Sequence, residues 1–147
     1  GFTEINVQDE GVETNADRIE GGFKTDYDTY AELLELKSEY DQNRYLNQYE
    51  KLFLIKGDAL ATIPQFIQEH PYILVSLLFL DFDLYKPTRV ALENFLPRMS
   101  KGSILAFDEV NNPWWPGETK SMLELIDIKK YEINRFTFDP NIAYIIL

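Results

Sequence analysis

The spacing of apolar residues changes its period several times along this chain, and each change marks an element. Residues 1–26 are polar, with Gly11, Gly21 and Gly22 scattered among few periodic apolar positions, and read as a loop. From Tyr30 the residues Tyr30, Leu33, Leu34 and Leu36 fall near helical spacing and predict a helix to about Glu39. A polar stretch over 41–50 ends that helix. Lys51–Lys56 (KLFLIK) is a short apolar run stopped by Gly57-Asp58, the pattern of a strand and its turn. Ala59–Glu69 returns to helical spacing through Leu60, Ile63, Phe66 and Ile67. Ile73–Leu80 (ILVSLLFL) is apolar almost throughout, as a strand buried on both faces would be.

The alternation continues with a helix over Pro87–Met99, a strand over Ser103–Phe107 and a helix over Glu118–Ile126. Tyr131–Phe138 alternates, and Ile142–Leu147 is a last apolar strand across the turn Asp139-Pro140-Asn141. The order α-β-α-β-α-β-α-β-β predicts a single α/β domain over 1–147. Its sheet should be open and parallel with helices on both faces, and its last two strands an antiparallel hairpin at one edge.

In such sheets ligands gather beyond the carboxyl ends of the strands. The acids of this chain fall there. Gly57-Asp58 follow the first strand, Asp81 and Asp83 the second, Asp108-Glu109 the third. An Asp ahead of a helix is also a favoured N-cap, an equal account of Asp58. For the other four, a hard divalent ion such as Mg²⁺, which prefers carboxylate oxygens, competes with capping and solvated turns. His70, the only histidine, lies in a turn at the opposite end of the second strand, so a Ser-His-Asp or Cys-His mechanism lacks its base. Trp114 and Trp115 follow the acidic strand end, either packed over the sheet edge or poised over a ligand.

Charge and composition narrow the partners. With 25 acidic residues against 14 basic ones the net charge is −11, which repels phosphate backbones and argues against nucleic acid. No cysteine is present, so disulfide and thiolate chemistry are excluded and a cytoplasmic setting fits. No apolar run reaches the roughly 18–20 residues of a membrane span. The chain starts abruptly on Gly-Phe, without Met or a signal-peptide pattern, which fits a truncated reading frame.

Three blocks carry a family resemblance: Leu80–Thr88 (LDFDLYKPT), Pro97–Glu109 (PRMSKGSILAFDE) and Trp115–Thr119 (WPGET). In this order and spacing they resemble the macrocin O-methyltransferase family, class I S-adenosylmethionine-dependent enzymes that methylate sugar hydroxyls. The resemblance implies a three-layer Rossmann-like methyltransferase sheet, with S-adenosylmethionine and Mg²⁺ as cofactors and a small hydroxyl-bearing acceptor, in all expectation a sugar. It implies Asp81, Asp108 and Glu109 as Mg²⁺ ligands, Asp83 as the general base, and Gly57, Asp58 and Ala59 as the turn beside the cofactor's adenine. It also points to Tyr85 and Trp115 as walls of the acceptor pocket. Glu109 departs from the family's usual second Asp. The larger departure is at the start: the family's first strand, glycine loop and ribose-binding acid have no counterpart here, and Gly1-Phe2 resembles the residues just after the second strand. The chain is therefore read as the C-terminal part of such an enzyme, inactive if the cofactor is held too weakly. The open edge this leaves on Ile73–Leu80 should either pair with Lys51–Lys56 or drive homo-oligomer formation.

Two other readings stand beside this one. Leu78–Asp83 (LFLDFD) also fits the strand-DxD signature of haloacid-dehalogenase phosphatases, but Tyr85 stands where that signature has Thr or Val, and Lys101 precedes a strand instead of following one. The second is a non-catalytic methyltransferase remnant that folds only within an assembly.

Overall fold

The computed structural model describes residues 1–12 and 15–147, so Glu13 and Thr14 of the predicted loop lie outside the described residues. Among the described residues four α-helices and four strands follow in the order α1 (Thr29–Asn43), α2 (Ala59–Glu69), β1 (Val75–Leu80), α3 (Tyr85–Phe95), β2 (Met99–Phe107), α4 (Gly117–Leu125), β3 (Asn134–Arg135) and β4 (Ala143–Ile146). The strands form one sheet in the order β1-β2-β4-β3. Only β1 and β2 run parallel; β4 is antiparallel to both β2 and β3, so the sheet is mixed and the terminal hairpin forms as expected. No helix among the described residues is long and apolar enough to cross a membrane.

Register divides each strand between two faces. Leu78 of β1 stands beside Leu105 of β2, which stands beside Ile145 of β4; Leu80, Phe107 and Ala143 form the next row. These six side chains belong to one core with Ala91 and Leu92 of α3 and Met122 of α4, and Ile63 of α2 packs against it. On the opposite face Leu77 (60% exposed), Phe79 (49%), Ile104 (37%) and Ile146 (54%) stay largely in solvent. Helices α2, α3 and α4 thus make one layer on one face. The second helical layer expected on the other face is not packed there among the described residues, and α1 buries none of its side chains.

Two boundaries depart from the sequence reading for local reasons. Helix α3 starts at Tyr85, with Pro87 in its first turn, and ends at Phe95 because Pro97 cannot continue it; a 3-10 turn over Leu96–Arg98 hands the chain to β2. Lys51–Lys56 is not a strand: β1 occupies the sheet edge and the run pairs with nothing in it. A strand needs a neighbour for its N–H and C=O groups, and Phe53 and Ile55 remain exposed without one. The expected direct pairing of this run with β1 does not occur.

Candidate functional site

The carboxyl end of β1 runs straight into a tight turn. Leu84 N donates to Phe82 O (2.6 Å), which leaves Asp83 at the apex in the left-handed region with a φ of 59°. That conformation disfavours a residue with a Cβ, and Asp tolerates it better than most. Asp83 is half-buried, and its carboxyl is pushed up to about 6, first by loss of solvent and then by the neighbouring charges of Glu109, Asp81 and Asp108. Asp108 and Glu109 at the end of β2 are raised as well. Burial leads in both; Asp81 and Asp139 add to the effect on Asp108, and Asp108, Asp139 and Asp81 to that on Glu109. In Glu109 the shift is opposed by the Asn112 side chain, whose Nδ2 donates to Oε2 (2.5 Å).

Asp81, Asp83, Asp108 and Glu109 thus lie near enough to act on one another's charge, and Asp58 is not among them. No Lys or Arg among the described residues forms an ion pair with Asp81, Asp83, Asp108 or Glu109. Carboxylate oxygens are the donor type that a hard divalent cation takes. The side chains are not gathered to the same degree: among the described residues no three acidic or histidine groups stand together as a ligand set.

Asp58 does what an Asp ahead of a helix does. Its Oδ1 accepts from Leu60 N (2.9 Å) and caps α2, while Oδ2 accepts from Thr3 Oγ1 (3.2 Å). Gly57, at a φ of 147°, turns where a Cβ would come within 2.7 Å of Thr62. Gly57, Asp58 and Ala59 line the same cavity as Asp81 and Asp83, an open space of about 710 Å³ also walled by Phe2, Thr3 and Phe23. A smaller apolar cavity of about 300 Å³, lined by Phe53, Ile55, Phe66 and Phe82, adjoins it through Gly57 and Ala59. Asp108 and Glu109 do not line either cavity.

The two pocket walls named by resemblance sit elsewhere. Tyr85 turns its hydroxyl to Glu124 (2.6 Å) and Arg89 (2.8 Å), away from the cavity. Trp115 is 6% exposed and packs against Phe2 and Phe23 with ring centroids 5.7 Å away, so it supports the cavity's aromatic wall from behind.

Three residues of the site were not singled out by sequence. Glu118, fully buried, accepts through Oε1 from Phe82 N (2.9 Å) and Asp83 N (3.2 Å) and through Oε2 from Glu109 N (3.0 Å). Burial pushes its carboxyl up to about 7 against those three N–H donors, which lower it. Asp9, 1% exposed, accepts from Tyr85 N (2.6 Å) and so caps α3, whose own N-cap Leu84 has no side chain to do it. Through its other oxygen Asp9 accepts from Asn6 N (2.8 Å), which pins the N-terminal segment to the site. Asp139 accepts from Asn141 N (2.9 Å) at the start of β4. Its signal was available: an antiparallel strand begins at the edge where its parallel neighbours end.

No family model and no curated protein matches this chain. Among solved structures, CalS11, a calicheamicin methyltransferase, is 30% identical with a TM-score of 0.90 over 99% of this chain and 56% of its own. The apo structure of CalS11, described as a TDP-rhamnose 3'-O-methyltransferase of calicheamicin biosynthesis, is 32% identical with a TM-score of 0.75 over 80% of this chain and 50% of its own. The O-methyltransferase NovP, 22% identical with a TM-score of 0.56, shares the fold. The chain spans about half the length of the structures it matches. Sheet order, helix layer and strand-end acids with these likenesses define a methyltransferase-type α/β domain. The LDFDLYKPT, PRMSKGSILAFDE and WPGET blocks resemble the macrocin O-methyltransferase family, and the solved structures this chain is similar to are methyltransferases.

Proposed function

We propose that this chain serves S-adenosylmethionine-dependent O-methyl transfer to a hydroxyl of a sugar or similar small molecule. One observation carries the proposal: Asp83, the carboxylate at the left-handed apex after β1, lines the same cavity as the Gly57-Asp58-Ala59 turn. A general base and a cofactor-side turn thus face one space. The likeness to a TDP-rhamnose methyltransferase supports a sugar as the acceptor.

In this mechanism Asp83 accepts the proton of the acceptor hydroxyl at a carboxylate oxygen. A carboxyl raised to about 6 is a stronger base than an ordinary one and is still ionised at neutral pH. The apolar cavity walled by Phe53, Ile55 and Phe66 would hold the adenine, with Asp58 at the adjoining Gly57-Asp58-Ala59 turn as a hydrogen-bond acceptor beside it. Phe2, Phe23 and Phe82 supply the apolar part of the wall of that open cavity. Asp81, Asp108 and Glu109 would have to close up to hold Mg²⁺, since no three acids among the described residues stand together as a ligand set; bound there, the ion would lower the pKa of an acceptor hydroxyl. The negative field also disfavours nucleic acid as a partner. A cytoplasmic location belongs to the same reading.

The test incubates the chain with labelled S-adenosylmethionine, Mg²⁺ and TDP-rhamnose. Transfer to the sugar is expected, with a limb that rises as pH passes about 6 because the base must lose its proton. Asp83→Asn should lower kcat by about 10²-fold and abolish that limb. A rate in Asp83→Asn equal to wild type from pH 5 to 9 removes Asp83 from the mechanism. A second reading, a non-catalytic methyltransferase domain that works within an assembly, is favoured by the exposed apolar sheet face. Absence of transfer with intact folding supports it.

A further inference from the structure

We infer that Glu118 is the positioning residue that joins the two acid-bearing loops into one site. Its two oxygens divide between them: Oε1 takes the N–H groups of Phe82 and Asp83 after β1, and Oε2 takes that of Glu109 after β2. The loops are otherwise tied by the sheet only as far as Asp108 N to Leu80 O (2.9 Å). Beyond that bond the strands end, and Glu118 carries the connection onward.

The rest of the WPGET block is built around this contact. A Cβ on Gly117 would stand 2.6 Å from Asp83 O and 2.4 Å from Tyr85 N, so only glycine lets α4 start this close to the turn. Thr119 Oγ1 accepts from Asn111 N (2.8 Å) and donates to Glu109 O (3.2 Å), a second fastener on the β2 loop. Ser121 Oγ donates to Tyr85 O (2.9 Å), a second fastener on the β1 side. Glu118 alone touches both loops with one functional group. A buried carboxylate with no cation partner among the described residues is a costly way to fill space, and an apolar side chain would fill it more cheaply. What the carboxylate adds is two acceptor atoms on a rigid fork, each facing a different loop. The bond to Asp83 N also holds that residue in its left-handed conformation, and with it the placement of the proposed base. The catalytic importance of the clamp rests on the function proposed above; the clamp itself does not.

The experiment compares wild type, Glu118→Gln and Asp108→Asn as full-length chains. Gln keeps one acceptor oxygen and turns an N–H donor toward the other loop, so it severs the connection with little change in volume. Two readouts are taken: hydrogen exchange at the Phe82, Asp83 and Glu109 amides, and binding of Mn²⁺ alone by electron paramagnetic resonance. In Glu118→Gln the amides of at least one loop should exchange faster, and Mn²⁺ affinity should fall about tenfold or more, as loss of a supporting residue does at metal sites. Glu118→Asp, which keeps the charge but is too short to reach both loops, should behave the same way and takes over if the Gln variant does not fold. A lowered Tm with wild-type exchange at those amides and wild-type Mn²⁺ binding overturns the inference, because a merely structural residue would give that result. If Asp108→Asn binds Mn²⁺ as wild type does, or wild type does not bind it, the cation reading fails alone. The exchange rates then decide on Glu118.

Discussion

The two faces of this sheet are made by the same strands and alternate residues, yet only one is packed. Leu105 and Phe107 are fully buried under α3 and α4, while Ile104, between Ser103 and Leu105 on the same strand, is 37% exposed. Leu80 is buried and Phe79 beside it is half in solvent. Composition is equally apolar on both faces. The difference teaches that an apolar strand reports a demand for cover on each face, but which elements meet that demand is decided elsewhere in the chain. Here α2 precedes β1, α3 and α4 follow β1 and β2, all three fold to one side, and nothing among the described residues closes the other.

The comparison is broken most directly by truncating one residue from each face. Phe107→Ala should lose about 3–5 kcal/mol of unfolding free energy, since it empties a packed site. Phe79→Ala should change it by no more than about 0.5 kcal/mol, as at other exposed positions. Urea denaturation of the two variants measures both. Equal losses would mean that the second face is covered in solution.

A smaller effect sharpens a related contrast, between two unpaired N-terminal stretches. Residues 1–12 carry little apolar periodicity but are fastened to the site, by Asp9 to Tyr85 N, by Gln8 O from Lys120 Nζ (2.5 Å) and by Thr3 to Asp58. Lys51–Lys56 is the more apolar of the two and is not fastened to the sheet. Asp9→Ala removes a buried helix cap and leaves Tyr85 N without it, so about 1–2 kcal/mol should be lost. Lys51→Ala, on an exposed side chain, should be neutral within about 0.5 kcal/mol.

Much of this was legible in the chain because it is local. Ile73–Leu80 and Ser103–Phe107 read as strands from their own residues, and acids directly after strand ends mark a site edge whatever the rest of the fold does. The Gly57-Asp58 turn and its cap were equally local. Glu118 was not legible, because its partners lie 36 and 35 residues away at Phe82 and Asp83 and a Glu in a first helical turn has a bland explanation. Asp9 meets Tyr85 across 76 residues, beyond any spacing rule. Lys51–Lys56 has the pattern of a strand, but pairing is a property of two segments and the pattern describes only one.

The smallest effect concerns what the bare face does in solution. An exposed row of Leu77, Phe79, Ile104 and Ile146 and an open β1 edge are both sticky, and each leads to the proposed homo-oligomer by a different route. The two routes separate by position. Leu77 lies on β1, the edge strand, whereas Ile146 lies on β4, an inner strand between β2 and β3. If copies dock face to face, Leu77→Lys and Ile146→Lys should both shift the chain toward monomer, because each puts a charge into the contact. If copies extend the sheet edge to edge, only Leu77→Lys should do so, since a lysine on an edge strand blocks pairing and one on an inner strand leaves the edge open. Light scattering across a concentration series reads the outcome, and stability should stay within about 0.5 kcal/mol in both variants because both sites are exposed. The row runs across β1, β2 and β4, so the face-to-face result is expected. A wild-type chain that stays monomeric over the whole series would remove the oligomer and leave the apolar row to be covered in some other way.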